Sequence, residues 1–401
     1  MVLKNIINLI KNSNGWIGFD RYMLEALYLN TQSYYVKNYG EKKNLGPFGK
    51  KGDFVTSASY GPWLAKAIAI KFRNLVNESP ISFKKSLIIR EFGPGTGQLA
   101  LEILIELEAF GCLPFKYELF EISDEMIKIQ KKTITNNLKK LNLTKLKNIY
   151  SWTKIKTDEN FLPEKYKNFK GLLVANEVVD SFPVKLFAWG PSNKKNGEIM
   201  EYGISTINNQ LILSSRQPDI RLSSIVKYRN KQALKRGQVW ENKRFGEWSL
   251  YLALWCKKVL KSLVWGDLLI IDYGLERTEL DRPSRVDSTI SAFSNHHQIN
   301  DLNKCIENPG EYDLTHQVDF TEMIEIFSQE NIENLVLKTQ AAWLIDSGVM
   351  DYVESTLKNE GLSRKYLMIK NLQNLLLDSE MGQSFLILDI EKRKITNNKS
   401  N

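Results

Sequence analysis

The stretch "REFGPGTGQLALEI", Arg90 to Ile103, constrains this chain more than any other. Gly93, Gly95 and Gly97 follow the apolar run Leu87-Ile88-Ile89 and lead into Leu99, Ala100, Leu101, Ile103 and Leu104, so the segment reads strand, tight turn, helix. Glycines spaced by single residues let backbone take conformations, and approach a ligand, in ways a side chain would prevent. In an open α/β sheet, ligands lie beyond the carboxyl ends of the strands, so a ligand is expected against this turn.

Further apolar runs end in polar or acidic residues: "SLIIREFG" (86–93), "KYELFEIS" (116–123), "GLLVANE" (171–177) and "GDLLIIDYG" (266–274). Helical patterns at Leu99–Ala109 and Glu125–Leu141 separate the first of them, and alternating strand and helix implies a parallel sheet. The expected fold is an α/β, doubly wound, Rossmann-like core. Its N-terminal part, 1–75, reads as helical around the loop "GEKKNLGPFGKKGDFVTSASYGP", a candidate lid. Residues 76–190 form the first half of the core and 191–262 an inserted subdomain of short strands and a tryptophan-bearing helical stretch. Residues 263–392 complete the core with a late strand "QSFLILDI" (383–390), and 393–401 are a polar tail.

At 401 residues and 43% hydrophobic content the chain can bury a large core. Its 55 basic against 46 acidic residues give a formal charge of +9, which favours anionic surfaces or an acidic protein partner. The charge is dispersed, and nucleic-acid recognition is not expected. Trp240, Trp248, Trp255 and Trp343 read as core, the helical spacing of Trp248 and Trp255 arguing against a base-stacking surface. Cys112, Cys256 and Cys305 show no zinc or disulfide spacing, which fits a reducing compartment. The N-terminal "MVLKNIINLIKNSNG" suits a short amphipathic helix without a cleavage site, and no run approaches the ~20 apolar residues of a membrane span. A soluble, cytoplasmic protein without membrane insertion is expected.

The glycine spacing differs from G-x-G-x-x-G, and no Gly-Lys-Ser/Thr follows as in a phosphate loop. With Glu91 before it, the turn resembles the first motif of class I S-adenosylmethionine-dependent methyltransferases. Glu121, closing the next strand, can accept both ribose hydroxyl hydrogens of a nucleoside. The plainer alternative is a tight turn and a helix cap. In "ANEVVDSFPV", Asn176, Glu177 and Asp180 follow an apolar strand, and the three-residue spacing of the two acids puts them on one side of a helical or tight-turn backbone. They either clamp a cationic group or serve locally, Asp180 capping the turn and Glu177 bonding backbone.

"GDFVTSASYGPWLAKAIA", "EFGPGTGQLA", "ELFEIS", "LLVANEVVDSFPV", "LLIIDYG", "NPGEYDLTHQVDFTEM", "QAAWLIDSG" and "EMGQSFLIL" occur in the order seen in MidA-like methyltransferases, and "FDRYMLEALY" extends the match toward the start. The chain therefore resembles that family across nearly its whole length. The resemblance implies a class I methyltransferase core and S-adenosyl-L-methionine as cofactor. For the family's mitochondrial branch it also implies methylation of a protein arginine linked to complex I assembly, hence a protein substrate such as a respiratory-complex subunit. It brings the loop bearing Asp53 and Thr56 to the cofactor, although Asp53 alone reads as a solvated turn residue. It matches His296 to a family histidine; His296 and His297 have no partner at ligand spacing, and a metal is not expected. Asp313 or Asp319 borders the substrate groove, or serves a turn. Two departures, Ser33 before Tyr34-Tyr35 and Ser288-Thr289-Ile290, bear on the substrate channel. An arginine acceptor needs carboxylates to hold its guanidinium, which suits Glu177 and Asp180. The competing function is an assembly chaperone that binds the cofactor with little or no turnover.

Overall fold

The apolar runs around the glycine turn form parallel strands buried on both faces, the pattern a helix-covered sheet imposes. In this computed structural model, which describes residues 1–39, 46–49, 52–53, 60–157, 166–190, 198–241, 243–330, 332–377 and 381–393, the chain divides into two units. One gathers Tyr39–Val178, Lys257–Tyr273 and Ile326–Asn401; the other gathers Met1–Asn38, Val179–Cys256 and Gly274–Glu325.

The first of these holds the sheet strands β1 (Ile88–Phe92), β2 (Lys116–Glu121), β3 (Tyr150–Lys154), β4 (Phe169–Asn176), β5 (Leu263–Leu275, its last two residues in the other unit), β6 (Asn334–Thr339) and β7 (Phe385–Lys392). Their order is β6-β7-β5-β4-β1-β2-β3. Pairing is parallel from β3 through β5, and β7 runs antiparallel to both β5 and β6. Strand order reverses between β1 and β4, so the crevice at their carboxyl ends is the switch point where such sheets take ligands.

Helices α1 (Trp63–Glu78), α2 (Gln98–Ala109) and α3 (Asp124–Lys140) pack on this sheet. Trp63, Ile68 and Phe72 of α1, Leu101 and Leu104 of α2, and Ile134 and Leu138 of α3 join Ile89, Tyr117, Leu119 and Val174 in one core. The start of α3 is set locally: Ser123 Oγ accepts the Met126 N–H at 3.3 Å, Asp124 and Glu125 occupy the first turn, and Lys139 and Lys140 the last. Such a cap stabilises by about 1 kcal/mol, and the end charges oppose the helix dipole. The central strands approach so closely that Gly171 and Gly266 have φ of +138° and +134°. A Cβ on Gly171 would lie 1.9 Å from the Ile88 carbonyl oxygen.

The other unit has an antiparallel sheet in the order Ile17–Gly18, Glu198–Ile207, Lys185–Gly190, Arg244–Trp248, with Gln210–Arg216 paired as a hairpin to Glu198–Ile207. The helix Ile220–Lys235 packs there through Leu222, Val226 and Ala233 against Phe187, Trp189, Trp240 and Trp248. The tryptophans are thus core residues as expected, but Trp248 closes a strand, not a helical turn. Polar residues are buried here in quantity. The Asp281 carboxylate takes Arg229 at 2.9 Å and Arg236 at 3.0 Å, and Arg277 takes Asp319 at 3.0 Å and Glu325 at 2.7 Å. A small sheet, His297–Ile299 / Ser291–Ser294 / Asp313–Thr315, completes the unit. Among the described residues no helix is long and apolar enough to cross a membrane.

Candidate active site

The turn after β1 is built from three left-handed glycines, Gly93, Gly95 and Gly97, with φ of 58°, 51° and 81°. The Gly93 N–H donates to the Phe120 carbonyl of β2 at 3.0 Å, and the Gly97 N–H returns to the Pro94 carbonyl at 2.8 Å. A Cβ on Gly93 would stand 2.9 Å from Val178 Cγ2, and one on Gly97 3.3 Å from Gln130 Cβ and Ile134 Cδ1. Over Gly95 the nearest atoms belong to the Phe48 ring, at 3.6 Å, so the described part of the candidate lid lies against this turn. Asp53 is buried there, its N–H bonded to the Pro47 carbonyl at 2.6 Å; Thr56 lies outside the described residues.

Glu121 closes β2 with its carboxylate turned back on the chain. Its Oε1 accepts the N–H groups of Ile122 at 2.8 Å and Ser123 at 3.0 Å. Its Oε2 accepts Gln130 Nε2 at 2.9 Å, and the same Nε2 donates to the Gly95 carbonyl at 2.9 Å. Burial pushes the Glu121 carboxyl up to about 7, against the lowering effect of those donors. Gln130 is a residue of this turn that sequence reasoning missed. It ties the glycine turn to the acid of the next strand, and its buried Oε1 is left without a hydrogen-bond partner. The signal was an amide in the apolar stripe Met126, Gln130, Ile134, Leu138 of α3. Glu91 points into the core, where Tyr117 OH donates to its Oε2 at 2.8 Å; burial, only partly offset by that bond, raises its carboxyl to about 7.

At the end of β4, Glu177 is a non-glycine residue with φ of 53°. That conformation costs an ordinary side chain roughly 1–2 kcal/mol. It is held by the Glu177 N–H on the Ile271 carbonyl at 2.8 Å and the Val178 N–H on Asp272 Oδ2 at 3.1 Å. Asn176 Nδ2 donates to Glu177 Oε1 at 3.2 Å. Asp272, fully buried at the end of β5, is a second residue the sequence did not single out: it fixes the turn that presents Glu177.

The unit bearing the glycine turn also holds Glu121, Asn176, Glu177 and Asp53, while Glu91 turns away from the turn into the core on Tyr117. Asp180 and His296 belong to the other unit. Asp180 is buried in the short turn Val179–Ser181, and its carbonyl accepts the His316 N–H at 2.9 Å. His296 is exposed at the tip of the hairpin joining Ser291–Ser294 to His297–Ile299, where it and Asn295 have φ of 61° and 49°, the two-residue turn of a tight hairpin. Of the two late acids, Asp319 serves structure: its Oδ1 accepts the Glu322 N–H at 2.9 Å and its Oδ2 pairs with Arg277. Asp313 accepts the Tyr35 hydroxyl on Oδ1 at 2.6 Å.

The donor set fits a nucleoside cofactor. Three glycines leave a backbone cradle, Glu121 can accept hydroxyl hydrogens, and Gln130 holds an unused acceptor beside them. A sheet of this order, a glycine turn at its switch point and an acid closing the next strand define a class I methyltransferase fold.

Residues 64–337 match the family model of S-adenosyl-L-methionine-dependent methyltransferases, and the chain belongs to that family, whose cofactor is S-adenosyl-L-methionine. It is similar to the mitochondrial protein arginine methyltransferase NDUFAF7 homolog of Caenorhabditis elegans, 26% identical over 302 residues; the match takes in 71% of this chain and 63% of that protein's length. Among solved structures it is similar to a COG1565 superfamily member from Burkholderia thailandensis bound to S-adenosyl-homocysteine, with a TM-score of 0.79, 24% identity, and coverage of 98% of this chain and 92% of that one. A native COG1565 superfamily crystal structure from the same organism gives a TM-score of 0.78 at 24% identity, over 98% of this chain and 91% of that one. Both establish the fold.

Proposed function

We propose that this chain transfers the methyl group of S-adenosyl-L-methionine to a protein, with an arginine side chain as acceptor. The observation that carries this is Glu177, a carboxylate held on left-handed backbone at the carboxyl end of β4 and braced by Asp272. Strain of that kind persists where the surroundings over-determine it, and it clusters at functional sites. The worm relative's name supports arginine as the acceptor.

The cofactor, when bound, supplies an electrophilic methyl group on a sulfonium. The chain's own residues do the rest. The backbone of Gly93, Gly95 and Gly97 admits the cofactor, Glu121 takes the ribose hydroxyls with Gln130 steadying it, and Asp53 closes that side. Glu177, oriented by Asn176, draws the guanidinium in and turns one nitrogen toward the methyl; as the methyl passes to that nitrogen, S-adenosyl-homocysteine leaves and the nitrogen's proton goes to the Glu177 carboxylate. Alignment and fixed charge supply most of the rate in such a displacement. His296, on its exposed hairpin, contacts the protein acceptor.

The test is incubation of the purified chain with methyl-labelled cofactor and cell protein, followed by acid hydrolysis and amino-acid analysis. We expect label in methylarginine, reduced about 100-fold by Glu177→Gln with cofactor affinity within about twofold of the parent. Label in methyllysine or in nucleic acid, or no transfer, overturns the proposal. Cofactor binding and partner capture without transfer, both unchanged in Glu177→Gln, would establish the chaperone instead.

A further inference from the structure

The unit that contains Asp180 also holds a pocket of about 530 Å³, counted out to its open mouth, with Phe187, Trp240, Phe245 and Trp248 among its walls. Three guanidiniums line it. Arg229 is paired with Asp281 at 2.9 Å. Arg244 lies over the Trp240 ring, 4.3 Å from its centre, and bonds only main-chain carbonyls, those of Leu280, Asp281 and Arg282 at 2.6, 3.1 and 3.3 Å. Arg285, half-buried, has no ion pair or side-chain hydrogen bond among the described residues. Burial first, then the charges of Arg229 and Arg285, lower Arg244 to about 10 against Asp281 and Glu247, so the three cations act on one another. The pocket's acids are largely engaged. Asp319 holds Arg277, Glu247 takes the N–H and hydroxyl of Thr289 at 2.8 and 3.2 Å, and Glu322 takes Trp248 Nε1 at 2.9 Å. Burial is the main cause that pushes both Glu247 and Glu322 up, toward the uncharged form, and Asp287 is exposed.

A separate observation points to an occupant. Arg229 and His316, 7% and 4% exposed, both line the pocket, and Arg229 Nε and His316 Nε2 are buried without any hydrogen-bond partner. His316 Nδ1 lies 3.1 Å from the Gln317 carbonyl. Burial brings the ring down to about 4, although the Gln317 and Phe182 carbonyls favour its protonated form. The imidazole is therefore neutral at neutral pH, with its proton on Nδ1 and a lone pair on Nε2. The two residues are joined by a short chain of bonds: the Gln317 N–H donates to Thr289 Oγ1 at 3.0 Å, Thr289 to Glu247, and the Glu247 carbonyl takes Arg229 Nη1 at 2.9 Å. An interior donor and an interior acceptor left unmet are each costly. A hydroxyl group answers both, accepting from Arg229 and donating to His316. A lone water would do so too, but it would leave Arg244 and Arg285 without an anion.

We propose that this pocket binds a small hydroxy-carboxylate, its carboxylate on Arg244 and Arg285 and its hydroxyl on Arg229 and His316. A guanidinium fork matches a carboxylate's two oxygens, and an aromatic wall with a few polar groups is the usual lining of a small-molecule site. Nothing in this site depends on which group accepts the methyl.

Calorimetric titration of the full chain with glycolate, L-lactate and L-malate, and with the matched acids acetate, propionate and succinate that lack the hydroxyl, tests the site. We expect at least one hydroxy acid to bind, and its matched acid to bind at least about tenfold more weakly. Arg285→Gln removes a group that has no partner in the fold. It should weaken that hydroxy acid at least about tenfold and leave the unfolding midpoint and the S-adenosyl-homocysteine affinity unchanged. Binding by none of the three hydroxy acids, equal binding by the matched acids, tighter binding of inorganic phosphate, or undiminished binding by Arg285→Gln overturns the proposal.

Discussion

The glycine turn and the Asp281 cluster both impose exacting geometry, yet they are built in opposite ways. The turn is made of backbone: three left-handed glycines, a returning N–H, and neighbours drawn from adjacent strand ends. The Asp281 cluster is made of side chains from distant stretches, Arg229 and Arg236 on one helix meeting a carboxylate some fifty residues later. The first is set by backbone conformation at strand ends. The second ties distant stretches of its unit together, and its Arg229 lines a pocket with Arg244 and Glu247. Changes in the two should therefore separate binding from stability.

The largest effect is expected where close backbone approach allows no relief. Gly171→Ala places a Cβ 1.9 Å from the Ile88 carbonyl oxygen across the β1–β4 pair. We expect a loss above about 4 kcal/mol, read as loss of soluble protein or of a cooperative urea transition. Next comes Asp281→Asn, which strips the buried Arg229 of its counter-charge. Breaking such a pair costs roughly 3–5 kcal/mol. The urea midpoint should fall, while the folded protein keeps the parent's affinity for S-adenosyl-homocysteine. A matching fall in that affinity would break the contrast between the two regions.

A smaller effect follows from the buried carboxyls beside the turn. Glu91 and Glu121 both stand at about 7 against an ordinary 4.5, chiefly through burial. Between those values the native chain holds protons the unfolded chain has released, so stability from these groups is full below about pH 4.5 and is lost as pH rises through about 7. Glu91→Gln keeps the acceptor for Tyr117 and removes the charge. It should be more stable than the parent at pH 8 by on the order of 1 kcal/mol and no more stable at pH 4.5, in paired urea melts. The smallest effect is His296→Gly, a residue suited to the positive φ at that hairpin tip. Thermal stability should change by no more than a few tenths of a kcal/mol, and any cost to transfer should fall on the protein acceptor's KM.

The same contrast explains what the sequence disclosed. Local signals carried the glycine turn, the helices that became α2 and α3, and the runs that became β1, β2, β4, β5 and β7, because each is a contiguous pattern with its own cap or turn. The strands Tyr150–Lys154 and Asn334–Thr339 were not legible: they lie at the two edges of the sheet, and their half-exposed faces carry mixed polar residues. Gln130 was hidden as one polar position in an apolar stripe, and Asp272 as one acid near the end of an apolar strand. The Tyr35–Asp313 bond joins positions 278 residues apart, which no periodicity reports. Glu177 was identified by its place after an apolar strand, but its left-handed backbone was not, since only the backbone of the folded chain reveals strain.

The most direct test is calorimetric titration of S-adenosyl-L-methionine and S-adenosyl-homocysteine into the parent chain and into Gly95→Val. Valine at that position must adopt a φ of 51° and project toward the Phe48 ring that covers the turn. We expect both compounds to bind the parent and to lose at least about 100-fold in affinity in the variant, with a cooperative unfolding transition retained. Failure of the parent to bind either compound, or undiminished binding by Gly95→Val, would contradict the assignment of the glycine turn as the cofactor cradle.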